Sequence, residues 1–352
     1  MYKNYNQLIS NIQRRSNPEN IILEKSLSDE LSALQYSDIM RYVTLAMNGV
    51  DAAYTKRSKD AGERVKSHLQ ESLSDVTYKY QGSVMTNTHI KGSSDIDLLV
   101  ITQKFYTFDK SGIEEVLSDY NQIKYLQATQ VSSLKAELQG GGYGLDTALQ
   151  DLRVNRLKSE SKLSDVYDSC DITKPKSIKI TNQHLKRDVD IVIANWYDDA
   201  KSVINSKQED YRGIQVYNKH TNSKGDVDYP FLSIKRINEK SSVTQGRLKK
   251  MIRLLKNIKE DSDKDIQLTS FDFNAICYDI DASTYQNLNK YMLVSIVLSQ
   301  LFKLATNQQA ANDLTSVDGR EYIFRNQPNK LQYLKNLMAE VSFILSDLKA
   351  QL

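Results

Sequence analysis

The stretch Gly82 to Ile101, GSVMTNTHIKGSSDIDLLVI, constrains this chain more than any other. Two aspartates, Asp95 and Asp97, stand two residues apart and lead straight into an apolar run, Leu98 to Ile101. Such a run reads as a buried strand, and residues i and i+2 of a strand leave on the same face. The spacing therefore predicts two carboxylates side by side. Carboxylates that close repel each other unless a cation lies between them. Mg²⁺ suits this setting, because it takes oxygen ligands and keeps part of its shell for a phosphate-bearing substrate. Just upstream, Gly82 and Ser83 suit an anion: glycine lets the backbone approach closely, and successive N–H groups cradle a phosphate.

A second Asp-x-Asp, Asp188 and Asp190, lies about ninety residues later and also reads as a strand, between Val189 and Ile191. Taken alone it is a strand end with two solvated acids. Beside the first pair, a third carboxylate on a neighbouring strand would complete a two-metal site for phosphoryl transfer.

Composition sets the frame for this pattern. With 352 residues the chain has room for two domains, or for one domain with a large accessory lobe. Net charge is only +3 and charged residues make up 26%, which argues against a polyelectrolyte binder and against global disorder. Cys170 and Cys277 are far apart, and four scattered histidines show no zinc spacing. A reducing, cytoplasmic setting fits. The opening MYKNYNQLISNIQRR has no apolar region of a signal peptide, and Tyr291 to Phe302 is too short to span a bilayer, so it reads as a buried helix.

Residues 1 to about 75 read as helix, with apolar positions Ile39, Tyr42, Val43, Met47, Val50 and Tyr54 on a long helix that Asp29 to Tyr36 opens. Strand character appears at Val76–Gln81, Asp95–Ile101, Ser177–Thr181, Arg187–Ile193 and Ile214–Tyr217. From Tyr229-Pro230 onward the chain reads as helices, at roughly 230–239, 245–260, 270–281, 288–306 and 328–350. This predicts a core over residues 1–228 and a C-terminal helical domain over 229–352.

The order Gly-Ser, then Asp-x-Asp on a strand, then a lone Asp in VDIVIA (Val189 to Ala194) resembles the DNA polymerase β-type nucleotidyltransferases. The likeness sharpens towards the cGAS/DncV-like nucleotidyltransferases, the CD-NTases. Their wording is similar to GSSDIDLLV; their basic helix resembles Asn238 to Lys259; and TSFDF (Thr269 to Phe273) looks like their Ser-aromatic step. The resemblance covers roughly residues 40 to 310. It implies an α+β fold: a polymerase β-like core of mixed sheet, flanking helices and a long N-terminal helix, followed by a helical lobe. It implies Asp95, Asp97 and Asp190 as catalytic metal ligands, with Mg²⁺, or Mn²⁺ in its place. It implies Gly82, Ser83, Lys249, Arg253, Ser270 and Phe271 as nucleotide contacts, Arg253 foremost on the triphosphate and Phe271 as a platform for the base.

The activity so implied is synthesis of a cyclic di- or trinucleotide second messenger from ATP or other NTPs, with release of pyrophosphate, in bacterial anti-phage signalling. A downstream effector would read the product, with no nucleic acid and no membrane required. The alternative is a template-independent transferase acting on tRNA or another RNA end, which should need a longer basic groove than a net +3 favours.

Other features read more plainly. Gly140 to Gly144 lacks the Lys-Ser/Thr that ends a phosphate loop, so it reads as a surface loop. His89 reads as a plain loop histidine. Ser270 reads as a helix N-cap. The loop Val84 to Thr88 departs from many relatives, which carry Arg or Gly there; Asn87 and Thr88 can still donate hydrogen bonds.

Overall fold

The computed structural model describes residues 3–18, 37–92, 95–140 and 143–351. The strands are β1 (Val76–Gln81), β2 (Ile96–Phe108), β3 (Cys170–Asp171), β4 (Ile178–Asn182), β5 (Arg187–Asp198), β6 (Gly213–Asn218) and β7 (Ser223–Asp228). The helices of eight residues or more are α1 (Tyr5–Ser16), α2 (Asp38–Met47), α3 (Ala52–Gln70), α4 (Lys110–Ser118), α5 (Ala128–Gln139), α6 (Leu145–Val166), α7 (Pro230–Val243), α8 (Arg247–Glu260), α9 (Ser270–Asp279), α10 (Met292–Thr306) and α11 (Pro328–Lys349). This is the expected α+β class. No described helix is long and apolar enough to cross a membrane.

The chain forms two compact units. One contains Met1–Thr55, Ser83–Ser94 and Lys235–Leu352; the other contains Lys56–Gly82 and Asp95–Ile234. The strand-to-helix change falls between Asp228 and Pro230, beside the predicted lobe boundary. The first unit nevertheless gathers the N-terminal helices as well, because α1 and α2 bury Ile9, Ile12, Tyr42, Val43 and Met47 in the same apolar cluster as α8 to α11.

The sheet unit is built on a seven-stranded sheet of order β1-β2-β5-β4-β3, with β6 on β5 and β7 on β6. Among the described residues only β2 and β5 pair in parallel; β1 and β4 flank them antiparallel. The central pair is covered on both faces, which explains its unbroken apolar runs. Leu98 to Ile101, Val189 and Ile191 to Ala194 are all buried. Each fully buried Leu or Ile contributes roughly 1.5–3 kcal/mol. β2 continues to Phe108, beyond the expected end at Ile101, through a register shift between Thr102 and Tyr106. β7 was not expected: its sequence SKGDVD lacks apolar alternation, and among the described strands it pairs with β6 alone.

In the helical unit, α8 lies at the centre. Met251, Leu254, Leu255 and Ile258 are buried as the spacing predicts, and so are Arg253, Lys256 and Asn257. Around it pack Phe273 and Ile276 of α9, Leu293, Val297 and Leu301 of α10, and Leu334, Leu337 and Val341 of α11. The predicted buried helix at Tyr291 to Phe302 is buried on one face only; Phe302 is exposed. The long helix expected across Ile39 to Tyr54 is instead α2 and α3, broken at Asn48–Asp51, where Asn48 takes an extended backbone. Asp29, Leu31, Leu34 and Tyr36, expected to open it, lie outside the described residues.

Candidate active site

The acidic cluster of the sheet unit is set by strand register. Asp97 on β2 is the pairing partner of Asp190 on β5, in parallel strands. Neighbouring strands are about 4.8 Å apart, and paired residues share a face, so the two carboxylates emerge together. Asp95 adds a third charge just ahead of β2. Burial, then Asp190 and Asp95, push the Asp97 carboxyl up to about 6. Gly82, at the end of β1, has φ +92°, and a Cβ there would lie 2.8 Å from Asp97 Oδ2. Its missing side chain is what lets the chain pass the carboxylate.

Two lysines and a serine, missed in the sequence, attend these acids. Lys179 of β4 reaches Asp95 at 2.9 Å and Asp188 at 2.8 Å, and is held protonated by both. Thr181 Oγ1 also donates to Asp188 at 2.7 Å. Asp188 is thereby pulled below the usual carboxylate range despite its partial burial. Lys174 Nζ and Ser177 Oγ both donate to Asp190 Oδ1 at 3.4 Å. Lys179 sits between apolar Ile178 and Ile180, which marks it as outward-facing, but only the β4–β5 pairing shows what it faces.

Among the described residues no three His, Cys, Asp or Glu side chains converge as a ready metal cage. The donor set still fits a hard divalent cation. It offers carboxylates without sulfur or imidazole, and Asp97 is crowded enough to favour a positive neighbour. Lys174 and Lys179 supply part of that positive charge.

A basic cluster lies in the helical unit. A cavity of about 200 Å³ is lined by Ser83, His89, Lys91, Lys256, Lys259 and Ser270, among others. Lys256 is 6% exposed and donates to Thr88 O at 3.0 Å. Burial, then Arg253, lower its amine to about 8. Lys259 donates to Leu268 O, and Lys91 pairs with Glu260 at 3.2 Å. His89, expected to be a plain loop histidine, is buried against this cavity with Nε2 3.1 Å from Thr55 Oγ1.

The predicted nucleotide residues divide here. Ser83 and Ser270 line the cavity; Lys249, Arg253 and Phe271 are not among its lining. Lys249 donates to Asn238 Oδ1 at 2.7 Å. Arg253 is buried, with Nε on Met47 O at 2.8 Å and Nη1 on Asn87 O at 2.7 Å. Phe271 is 38% exposed, whereas Phe273 is in the core. The N-cap of α9 is Thr269 rather than Ser270: Thr269 and Asp272 form a reciprocal capping box, leaving Ser270 as the first helical residue. The start of α9 thus brings free N–H groups and its dipole to the cavity.

The C-terminal helical domain of cGAS/DncV-like nucleotidyltransferases matches residues 235–345. A c-di-GMP synthase of Capnocytophaga granulosa is 56% identical to this chain over 353 aligned residues, 99% of each. The chain belongs to the cGAS/DncV-like nucleotidyltransferase family. A c-di-GMP synthase of a Lachnospiraceae bacterium is 45% identical over 98% of each chain. The solved STING-associated CdnE c-di-GMP synthase from a Flavobacteriaceae species is similar along the whole of both chains, with TM-score 0.90 and 39% identity. As a CD-NTase the chain is an enzyme that joins nucleotides into a cyclic oligonucleotide second messenger.

Proposed function

We propose that this CD-NTase makes cyclic di-GMP from two molecules of GTP. The choice of guanine rests on the relatives that span the whole chain, which are c-di-GMP synthases at 56% and 45% identity. The chemistry rests on one observation above all: the parallel pairing of Asp97 with Asp190, with Asp95 beside them.

In this reading a ribose hydroxyl of one GTP attacks the α-phosphorus of the other, and pyrophosphate leaves. A second round between the remaining hydroxyl and triphosphate closes the ring. Asp95, Asp97 and Asp190 would hold Mg²⁺, or Mn²⁺ in its place. When bound, such an ion supplies positive charge that lowers the pKa of the attacking hydroxyl and offsets charge on the leaving pyrophosphate. Lys256, Lys259, Ser83 and Ser270, around the cavity of the helical unit, bind polyphosphate. Phe271, exposed on the first turn of α9, gives the base a ring to stack on. We place the enzyme in the cytoplasm, where GTP is available, and assign the reading of its product to a separate STING-type effector, since a relative of this chain is STING-associated.

The test is incubation with Mg²⁺ and each NTP alone and in pairs, followed by phosphatase and mass spectrometry. GTP alone should yield a phosphatase-resistant product of the mass of cyclic di-GMP. A product that requires ATP, UTP or CTP would overturn the choice of base. Transfer of label into added tRNA with no small cyclic product would overturn the activity.

A further inference from the structure

We infer that Arg253 is a positioning residue for the turn Ser83–Thr88 and not a ligand of the nucleotide's phosphates, an inference that rests on reading the cavity beside Ser83 and Lys256 as the polyphosphate site. The turn is a built object. Thr88 N–H donates to Ser83 O at 2.9 Å, Asn87 N–H to Val84 O at 3.2 Å and Thr86 Oγ1 to Ser83 O at 3.2 Å. Val84, Thr86 and Thr88 are buried. Asn87 sits at φ +52°, a left-handed backbone that asparagine tolerates better than most residues.

Such a turn leaves carbonyls pointing inward, and each needs a donor. Arg253 supplies one with Nη1 on Asn87 O, and the adjacent Nε caps Met47 O at the end of α2. Lys256 supplies another on Thr88 O. The fork of a guanidinium thus ties the C-terminus of α2 to the turn, where the negative end of the helix dipole also favours a cation. Gly49 keeps this junction tight: a Cβ there would lie 3.3 Å from Asn87 Oδ1 and 3.8 Å from Arg253 Nη1. The direction of the guanidinium is fixed by these two carbonyls. What it controls is where the turn holds Ser83, which lines the cavity. A lysine at 253 keeps the charge but offers one nitrogen where the guanidinium presents two, Nε and Nη1, each with its own N–H direction.

The experiment is hydrogen exchange on the nucleotide-free protein, paired with calorimetric titration of inorganic tripolyphosphate. Arg253→Lys should raise exchange over residues 83–88 about tenfold or more, with exchange elsewhere unchanged and tripolyphosphate affinity reduced only a few-fold. Lys259→Met, which alters the cavity wall and not the turn, should show the reverse pattern: affinity lost, turn protection kept. Arg253→Lys with unchanged turn protection overturns the inference, whether or not affinity falls. Failure of the wild type to bind tripolyphosphate would sink the reading of the cavity, while the exchange result would still decide what Arg253 does.

Discussion

On the sheet unit, Asp97, Asp188 and Asp190 share a small region of β2 and β5 with Asp95 just ahead of β2, and lysines reach Asp95, Asp188 and Asp190 from the loop and strand alongside. On the helical unit, Arg253 and Lys256 share a face of α8, and their bonds go to backbone carbonyls of Met47, Asn87 and Thr88. Both are clusters of like charge, yet they are relieved differently. The acids keep part of their repulsion: after burial, Asp190 and Asp95 add to the upward push on Asp97. The bases turn theirs into architecture; burial is again the largest cause of the lowered Lys256 amine, ahead of Arg253, but the cations here are bonded to backbone carbonyls. An acid cluster left crowded is suited to capture a cation on demand. A base cluster tied to carbonyls is suited to hold a loop still.

The strongest break of this comparison is Asp97→Asn. Turnover should fall by about a thousandfold or more, on the order of 4 kcal/mol of transition-state stabilisation. Calorimetric melting in the presence of a chelator should move upward, because a buried repulsive charge has gone. A melting point that drops instead would show that the Asp97 charge stabilises the fold.

Lys256→Met sharpens the basic side. It should weaken tripolyphosphate binding roughly ten- to a hundredfold at pH 7. In the wild type, affinity should decline from pH 7 to 9 around the Lys256 value of about 8. Stability has its own pH signature. The folded amine titrates near 8 and the unfolded one near 10.5, so between these values the unfolded chain binds more protons and wild-type stability gains with rising pH. Denaturant titrations of the Met variant should lack that gain.

The smallest effect is expected at Lys179→Ala. With Asp95 and Asp188 released from their lysine, the half-saturating Mn²⁺ concentration, followed by electron paramagnetic resonance, should fall about two- to tenfold. Weaker Mn²⁺ binding would mean that Lys179 organises the acids rather than competing for them.

What the sequence disclosed follows the range of each interaction. Asp97 and Asp190 were legible because each sits at the mouth of its own apolar run, a pattern of a few residues. The buried face of α8 was legible for the same reason: Met251, Leu254, Leu255 and Ile258 fall at helical spacing. The partners of Arg253 were not. Met47 and Asn87 lie 206 and 166 residues away and contribute backbone oxygens, which leave no trace in residue type. Lys179 lies 84 residues from Asp95 and meets it through strand pairing that a single sequence does not specify. The break at Asn48 and the polar strand β7 were hidden because tertiary pairing decides them against weak local preference.

The crowding at Asp97 also bears on how such a protein decays. An aspartate whose charge opposes folding is retained only while its chemistry is selected. Once selection lapses, drift to asparagine or alanine there improves the fold, so loss of activity is the downhill direction. Gly82 offers no comparable exit, since any side chain meets the carboxylate of Asp97 and a left-handed backbone. Inactive descendants of this enzyme should therefore be recognisable as stable proteins that keep the helical unit and lose an acid first.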